Sequence, residues 1–247
     1  MSEDPFSLDG RRLLVTGASS GLGRAIATTC AKRGAIVVLA GRDVARLEDT
    51  RGSLAGTGDQ TISADLVETG GRDRVVAECG AVDGVVHSAG ISRLSPIRMA
   101  TSQHLADVWK INYEAPVLLT QKLLAKNQVK PDGSILFMSS IAAFIGVAGV
   151  GVYSGTKAAL IATMRCLAME VVKRGIRVNC LAPALVDTPL LAATETVVAN
   201  MEEQKAAYPL GFGKPDDVAN AAVFYLSSAS RWITGTTLVM DGGLTIS

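Results

Sequence analysis

The stretch from Arg11 to Ala40 limits the fold more than any other part of the chain. Arg11-Arg12-Leu13-Leu14-Val15-Thr16 reads as a strand. It is followed by the small-residue turn Gly17-Ala18-Ser19-Ser20-Gly21-Leu22-Gly23. Arg24–Arg33 has helical composition and stops at Gly34, a common helix terminator. Ala35–Ala40 is then apolar at every position. An all-apolar strand has both faces covered, which suits a parallel sheet, so the stretch predicts a βαβ unit. Small residues at the first turn let backbone N–H groups approach a phosphate at the helix N-terminus, where the helix dipole favours negative charge. The spacing is Gly-x-x-x-Gly-x-Gly, and its place between strand and helix favours a nucleotide over a plain tight turn.

The alternation continues along the chain. Strands are expected at Gln60–Ala64, Asp83–His87, Ile135–Ser139, Arg177–Leu181 and Thr236–Met240. Helices are expected at Gly71–Cys79, Thr101–Lys126, from Tyr153 through Val172, and at Asp216–Ser228. With no linker or composition break, residues 1–247 read as a single doubly wound α/β domain with helices on both faces of a parallel sheet. Residues 190–214 interrupt the rhythm after a strand's C-terminal end, and are expected either to cover a substrate as a lid or simply to extend the fold.

The charge balance of 24 basic against 23 acidic residues offers no general attraction for nucleic acid or an anionic membrane. The first nine residues lack an apolar signal core, and the longest apolar run, Ile141–Val152, is too short to span a bilayer. Four scattered cysteines and two histidines show no metal-ligand spacing, so no metal is expected. These features together predict a metal-free, cytoplasmic protein.

A second constellation lies between Ser139 and Lys157. Tyr153 and Lys157 are four residues apart at the start of a predicted helix, so both side chains share one face. A neighbouring ammonium favours phenolate and is expected to draw the tyrosine toward the range of a working general acid. Ser140, just past a strand, could bring its hydroxyl to the same place.

Taken in order, these residues resemble the short-chain dehydrogenase/reductase family over essentially the whole chain. Thr16-Gly17-x-x-x-Gly21-x-Gly23 matches its cofactor motif, and Asn112, Ser140, Tyr153 and Lys157 fall where its catalytic tetrad falls. Asp65-Leu66 matches its adenine-side pair, and Thr188, five residues after Pro183, its nicotinamide-side threonine. The resemblance implies a Rossmann-like fold. It also implies cofactor contacts from Gly17, Ser19, Ser20, Gly21, Leu22, Gly23, Arg42, Asp65, Leu66, Ser88, Ala89, Gly90, Tyr153, Lys157, Val186 and Thr188. Three departures stand out. His87-Ser88-Ala89-Gly90 replaces Asn-Asn-Ala-Gly, Pro183-Ala184 replaces Pro-Gly, and the segment between Asp65 and Asp83 is about one helical turn shorter than is typical.

Within the family the chain is most similar to 3-oxoacyl-(acyl-carrier-protein) reductases, through Pro209-Leu-Gly-x-x-Gly-x-Pro-x-Asp-Val-Ala and Asp241-Gly242-Gly243. The implied activity is reduction of a carbonyl with a nicotinamide dinucleotide. In that mechanism Ser140 holds the carbonyl oxygen, Tyr153 is the proton donor, Lys157 lowers its pKa and binds the nicotinamide ribose, and Asn112 holds a water. NADP(H) is expected over NAD(H), because the second strand ends at Gly41-Arg42, a guanidinium where NAD-using relatives carry aspartate. Asp43 could pair with Arg42 and weaken that preference. A sugar, polyol or sterol substrate stays open, as does a catalytically silent dinucleotide sensor. Docking of an acyl carrier protein is half supported, by Arg174 with Lys173, whereas the other basic position is Pro131 beside Lys130. A homotetramer, or at least a dimer, is expected from the family and from the exposed last strand.

Overall fold

The computed structural model describes residues 4–54, 56–192 and 205–246. Seven strands form one parallel sheet: β1 (Arg12–Thr16), β2 (Ile36–Gly41), β3 (Gln60–Ser63), β4 (Val82–His87), β5 (Val129–Met138), β6 (Arg177–Pro183) and β7 (Thr237–Met240). Their order across the sheet is β3-β2-β1-β4-β5-β6-β7. The order reverses between β1 and β4, so the crevice beyond their C-terminal ends is where such a sheet receives a ligand.

The helices are α1 (Gly21–Lys32), α2 (Val44–Gly52), α3 (Thr69–Glu78), α4 (Ser102–Trp109), α5 (Ala115–Ala125), α6 (Gly151–Val171), the short α7 (Pro189–Ala192) and α8 (Pro215–Leu226). Alternating residues of the buried strands feed two cores. On one face Val85, Ile135, Phe137, Val178 and Cys180 pack with residues of α3, α5 and α6, such as Val75, Leu119 and Met164. On the other face Val86, Leu136, Met138 and Leu181 meet Ile26 and Ala27 of α1, Leu47 of α2, and Val218, Ala222 and Leu226 of α8.

The placement of α8 has a topological result. The other five strand-to-strand connections carry their helices on the face that makes each crossover right-handed, the usual hand. The β6-to-β7 connection continues in the direction of β5 to β6, but its helix lies on the α1 face, so its hand is reversed. The chain after β6 therefore turns to the α1 face, the opposite face from α6.

The expected helix Thr101–Lys126 is interrupted: Lys110–Glu114, between α4 and α5, is a π-helical turn. Pro116 has no N–H to give the carbonyl four residues back, which is that of Asn112, and this is the local reason for the widening. The expected strand Ile135–Ser139 starts earlier, at Val129, and closes at Met138, leaving Ser139 and Ser140 on the rim. Within the stretch expected as a lid, residues 193–204 lie outside the described residues. Among the described residues no helix is long and apolar enough to cross a membrane.

Candidate active site

The glycine loop between β1 and α1 is built for close approach. Gly17 has φ +66, and a Cβ there would lie 2.8 Å from the backbone of Ala89 after β4. A Cβ on Gly23 would collide with the carbonyl of Gly17, so α1 could not pack against the loop with any side chain there. Ser20 is the N-cap of α1, yet its hydroxyl makes no capping hydrogen bond, and the first turn holds no acidic residue. The first N–H groups of a twelve-residue helix thus face the rim with their partial positive charge uncompensated by side chains.

Polar side chains brace this loop. Arg24 donates from Nε to Thr50 Oγ1 at 2.9 Å and from Nη2 to the carbonyl of Ser19 at 2.8 Å. Thr50 is fully buried, and its hydroxyl reaches the carbonyls of Ala18 (3.0 Å) and Arg46 (2.9 Å). Across the loop, Thr16 Oγ1 accepts from the N–H groups of Ser88 (3.1 Å) and Ala89 (3.3 Å). Loop, α2 and the end of β4 therefore form one hydrogen-bonded frame.

A cleft of about 400 Å³ runs along it. Gly17, Ser19, Ser20, Gly21, Leu22, Gly23, Arg42, Asp65, Leu66, Ser88, Ala89, Gly90 and Thr188 all line the cleft, as the sequence led us to expect. Val186, Tyr153 and Lys157, also expected as cofactor contacts, do not line it; the Val186 side chain is buried in the α1-side core, and its carbonyl accepts from Thr188 Oγ1 at 3.2 Å. Arg46, Ile91 and Ile111 line the cleft without having been expected there. Arg46 sits one turn beyond Arg42, a spacing that would have pointed to it had α2 been recognised. The elongated glycine cradle, a free helix N-terminus at one side and a guanidinium at the end of β2 together fit a dinucleotide.

Arg42 is more available than the sequence suggested. Asp43, the expected competitor, is the N-cap of α2: it accepts from the N–H of Arg46 (3.0 Å) and pairs with its guanidinium at 2.7 Å. These bonds hold its carboxyl below the usual aspartate range. Among the described residues Arg42 is left with a loose contact to Asp65, 3.9 Å away, with both side chains well exposed.

At the other end of the cleft the four expected catalytic residues come together from three elements. Asn112, in the π turn, is buried, and its carboxamide is wholly engaged: Oδ1 accepts from Ile91 N–H and Nδ2 donates to the Ile91 carbonyl, both at 2.9 Å. Lys157 is buried and donates from Nζ to the carbonyl of Met138 at 2.8 Å. The same ammonium stands 5.5 Å from the centre of the Tyr153 ring. Ser140 hydrogen-bonds to the Tyr153 side chain, and its hydroxyl also meets the Ala142 N–H at 3.2 Å. Gly90 closes the set: a Cβ there would lie 3.1 Å from Asn112 Oδ1 and 3.6 Å from Lys157 Nζ.

One expectation about this group is corrected. Lys157 was expected to bring the Tyr153 phenol down, but burial dominates and raises it, with the Ser140 hydrogen bond opposing. Burial acts on the ammonium as well and pushes Lys157 down to about 8. A cation directed to a carbonyl and lying over a ring face, rather than beside the phenol oxygen, does not offset that desolvation.

His87, one of the sequence departures, takes no part in the cleft. It is buried, stacks on Phe137 with ring centres 4.8 Å apart, and meets Thr120 Oγ1 through Nε2 at 2.8 Å. The Thr120 hydroxyl donates to the carbonyl of Pro116, so it accepts from an Nε2–H and leaves Nδ1 bare. Burial pushes the His87 pKa down to about 3, so the ring is neutral. Ser88 keeps its place at the cleft through its backbone, held by Thr16. The basic positions weighed for a carrier protein are largely engaged: Arg174 donates to the carbonyl of Val129 at 2.7 Å and Lys130 pairs with Asp83 at 2.9 Å.

A family model described as enoyl-(acyl carrier protein) reductase matches residues 17–245. The chain belongs to the short-chain dehydrogenase/reductase family. It is 35% identical to a 3-oxoacyl-(acyl-carrier-protein) reductase of Chlamydia pneumoniae, over 97% of this chain and 99% of that one. It is 34% identical to a D-threitol dehydrogenase of Mycolicibacterium smegmatis, over 98% of this chain and 95% of the other. Among solved structures it matches a protein from Beutenbergia cavernae, provisionally assigned as an NAD(P)-dependent gluconate 5-dehydrogenase and solved with bound NADP at low occupancy. That match has a TM-score of 0.88 and 33% identity, and covers 99% of this chain and 100% of the other. Short-chain dehydrogenase/reductase membership makes this chain an oxidoreductase and a binder of a nicotinamide dinucleotide.

Proposed function

We propose that this oxidoreductase interconverts a carbonyl and a hydroxyl, prefers NADP(H) to NAD(H), and works through Asn112, Ser140, Tyr153 and Lys157. The observation that carries the reading is the convergence at Gly90. There a locked carboxamide and a buried ammonium meet at one end of a glycine-lined cleft, and the ammonium stands 5.5 Å from the centre of the Tyr153 ring, whose side chain bonds Ser140. When bound, the dinucleotide supplies or accepts the hydride. Ser140 holds the substrate oxygen by a hydrogen bond, and Tyr153 gives that oxygen its proton in reduction and removes it in oxidation. Lys157, fixed by the Met138 carbonyl, binds the nicotinamide ribose, and Asn112 holds a water on the proton's way to solvent. Toward the adenine end, Arg42 takes the 2′-phosphate, with Arg46 and the hydroxyls of Ser19 and Ser20 near it. Residues 1–247 act as one dinucleotide-binding domain, with 190–214 as its substrate cover.

The test is consumption of NADPH and NADH, followed by their absorbance, against a panel of acyl thioesters, simple ketones and sugars. Cofactor binding without turnover of any member would instead support a dinucleotide sensor. The names of the relatives favour a second reading, oxidation of a polyol or sugar acid, which the same panel run with NADP+ separates. We also propose a cytoplasmic homotetramer. Leu105, Trp109 and Met169 on α4 and α6 are exposed, as are Leu238 and Val239 on the edge strand β7, so two apolar surfaces are open to other copies of the chain. Light scattering of a monomer at micromolar concentration would overturn this.

A further inference from the structure

We infer that the substrate is a carbonyl compound with an apolar flank, an alkyl or acyl chain, and not a polyhydroxylated sugar or polyol. This deepens the reductase reading above and rests on it.

The mouth beside the candidate catalytic residues is formed by two loops. One, residues 141–152, leads from Ser140 to Tyr153; the other, residues 91–100, leaves the cleft at Ile91. They are joined by a hydrogen bond from Ser95 N–H to the Gly149 carbonyl at 2.8 Å, and Ile97 packs so near Gly151 that a Cβ there would lie 2.9 Å from its Cδ1. From Ile141 to Val152 every side chain is Ile, Ala, Phe, Val or Gly. Twelve successive residues next to the reacting hydroxyls thus offer no side-chain hydrogen bond. Apolar side chains also stand open to solvent on both loops: Ile97 is 68% exposed, Met99 64%, Phe144 51% and Val147 50%.

One of the two charges on the facing loop is already engaged. Arg93 is paired with Asp107 at 2.7 Å, and that carboxylate also accepts from Gln103. Arg98 is the remaining charge of the two loops, on an exposed turn at their outer edge. A polyol placed here would lose water from several hydroxyls and meet no side-chain partner on the 141–152 side. An alkyl chain loses nothing and removes apolar surface from water. The chemistry of the wall therefore argues against threitol and gluconate, for which relatives are named, as substrates of this chain.

The experiment is a steady-state comparison of methyl ketones and 3-oxoacyl N-acetylcysteamine thioesters of increasing chain length. Threitol and gluconate are run alongside with the oxidised cofactor, on the wild-type protein and on Phe144→Ser and Val147→Ser. We expect kcat/KM to rise about three- to fourfold for each added methylene over the first few, by the area rule for a buried CH₂. We expect both variants to flatten that rise, while NADPH binding followed by its fluorescence is unchanged. A preference for threitol or gluconate, or a rate independent of chain length, overturns this inference and leaves the reductase reading standing. No turnover of any compound overturns both. If the variants instead shift the sedimentation coefficient and leave the chain-length rise intact, the patch is a subunit contact and the inference fails.

Discussion

The two ends of the cleft are held by different physics. Around the glycine loop, nearly every bracing contact is a polar side chain reaching the main chain: Arg24 to Ser19, Thr50 to Ala18, Thr16 to Ser88 and Ala89. Around the mouth, Ser140 to Tyr153, the polar groups are few, buried and tied inward, and the surface left for a ligand is apolar. The first end recognises features that every dinucleotide shares, so its residues must be placed. The second meets a molecule that differs from relative to relative, so its wall is free to vary. The contrast explains why glycine spacing names the cofactor class while the substrate has to be argued from what a loop cannot bond.

That contrast can be broken most forcefully at the catalytic end. Tyr153→Phe keeps the ring and its packing but removes the proton donor, so kcat should fall by about a hundredfold or more while cofactor binding persists. Turnover within about tenfold of wild type, some 1.4 kcal/mol in barrier, would remove Tyr153 from the mechanism. At the cofactor end the largest effect should be on folding. Gly17→Ala adds a methyl at φ +66 against the Ala89 backbone, and should lose about 3 kcal/mol or more of stability, read by chemical denaturation. An unchanged midpoint would mean that the loop and the β4 end are not rigidly joined.

Between the two ends lies His87, and its effect depends on pH. Its pKa is near 3 when folded and about 6.5 when unfolded, so below about 6.5 the unfolded chain binds the extra proton. Stability attributable to the neutral ring is therefore full above about 6.5 and lost as pH falls toward 3. His87→Asn should remove that part of the acid sensitivity, flattening the loss between pH 6.5 and 4 by about 3 kcal/mol. Parallel stability curves for the two proteins would show that the ring is not held neutral. The smallest effect is expected at the exposed Arg42. Arg42→Ala should lower the NADPH-to-NADH ratio of kcat/KM by about tenfold, and Gly41→Asp should reverse the preference. An unchanged ratio would place phosphate recognition elsewhere, with Arg46 the next residue to change.

The sheet and most helices were legible because apolar periodicity and glycine punctuation are local signals. α2 was not, since Val44–Gly52 buries only Leu47 and Thr50 and so carries no apolar stripe. With it went Arg46, which only a helix brings back to Arg42. The π turn at Lys110–Glu114 was also missed. Pro116 signals an irregularity, but whether a helix breaks or widens there depends on what Asn112 finds to bond, and Ile91 is 21 residues away in sequence. The four candidate catalytic residues were visible as a pattern, and their electrostatics were not. Whether an ammonium lowers a phenol depends on its direction and burial, and here Lys157 points to Met138. The face taken by α8 is likewise silent in a sequence that shows only another helix between two strands.

That reversed crossover sets a rule for change in this molecule. The chain leaves β6 in the plane of the sheet, and the layer that holds α8 lies about 10 Å to one side, so the passage needs at least about three extended residues. Trimming the passage below that span would detach α8 from β5 and β6, whereas lengthening it adds only a slowly growing loop entropy. Descendants of this architecture can therefore lengthen this passage by insertion, but cannot dispense with it.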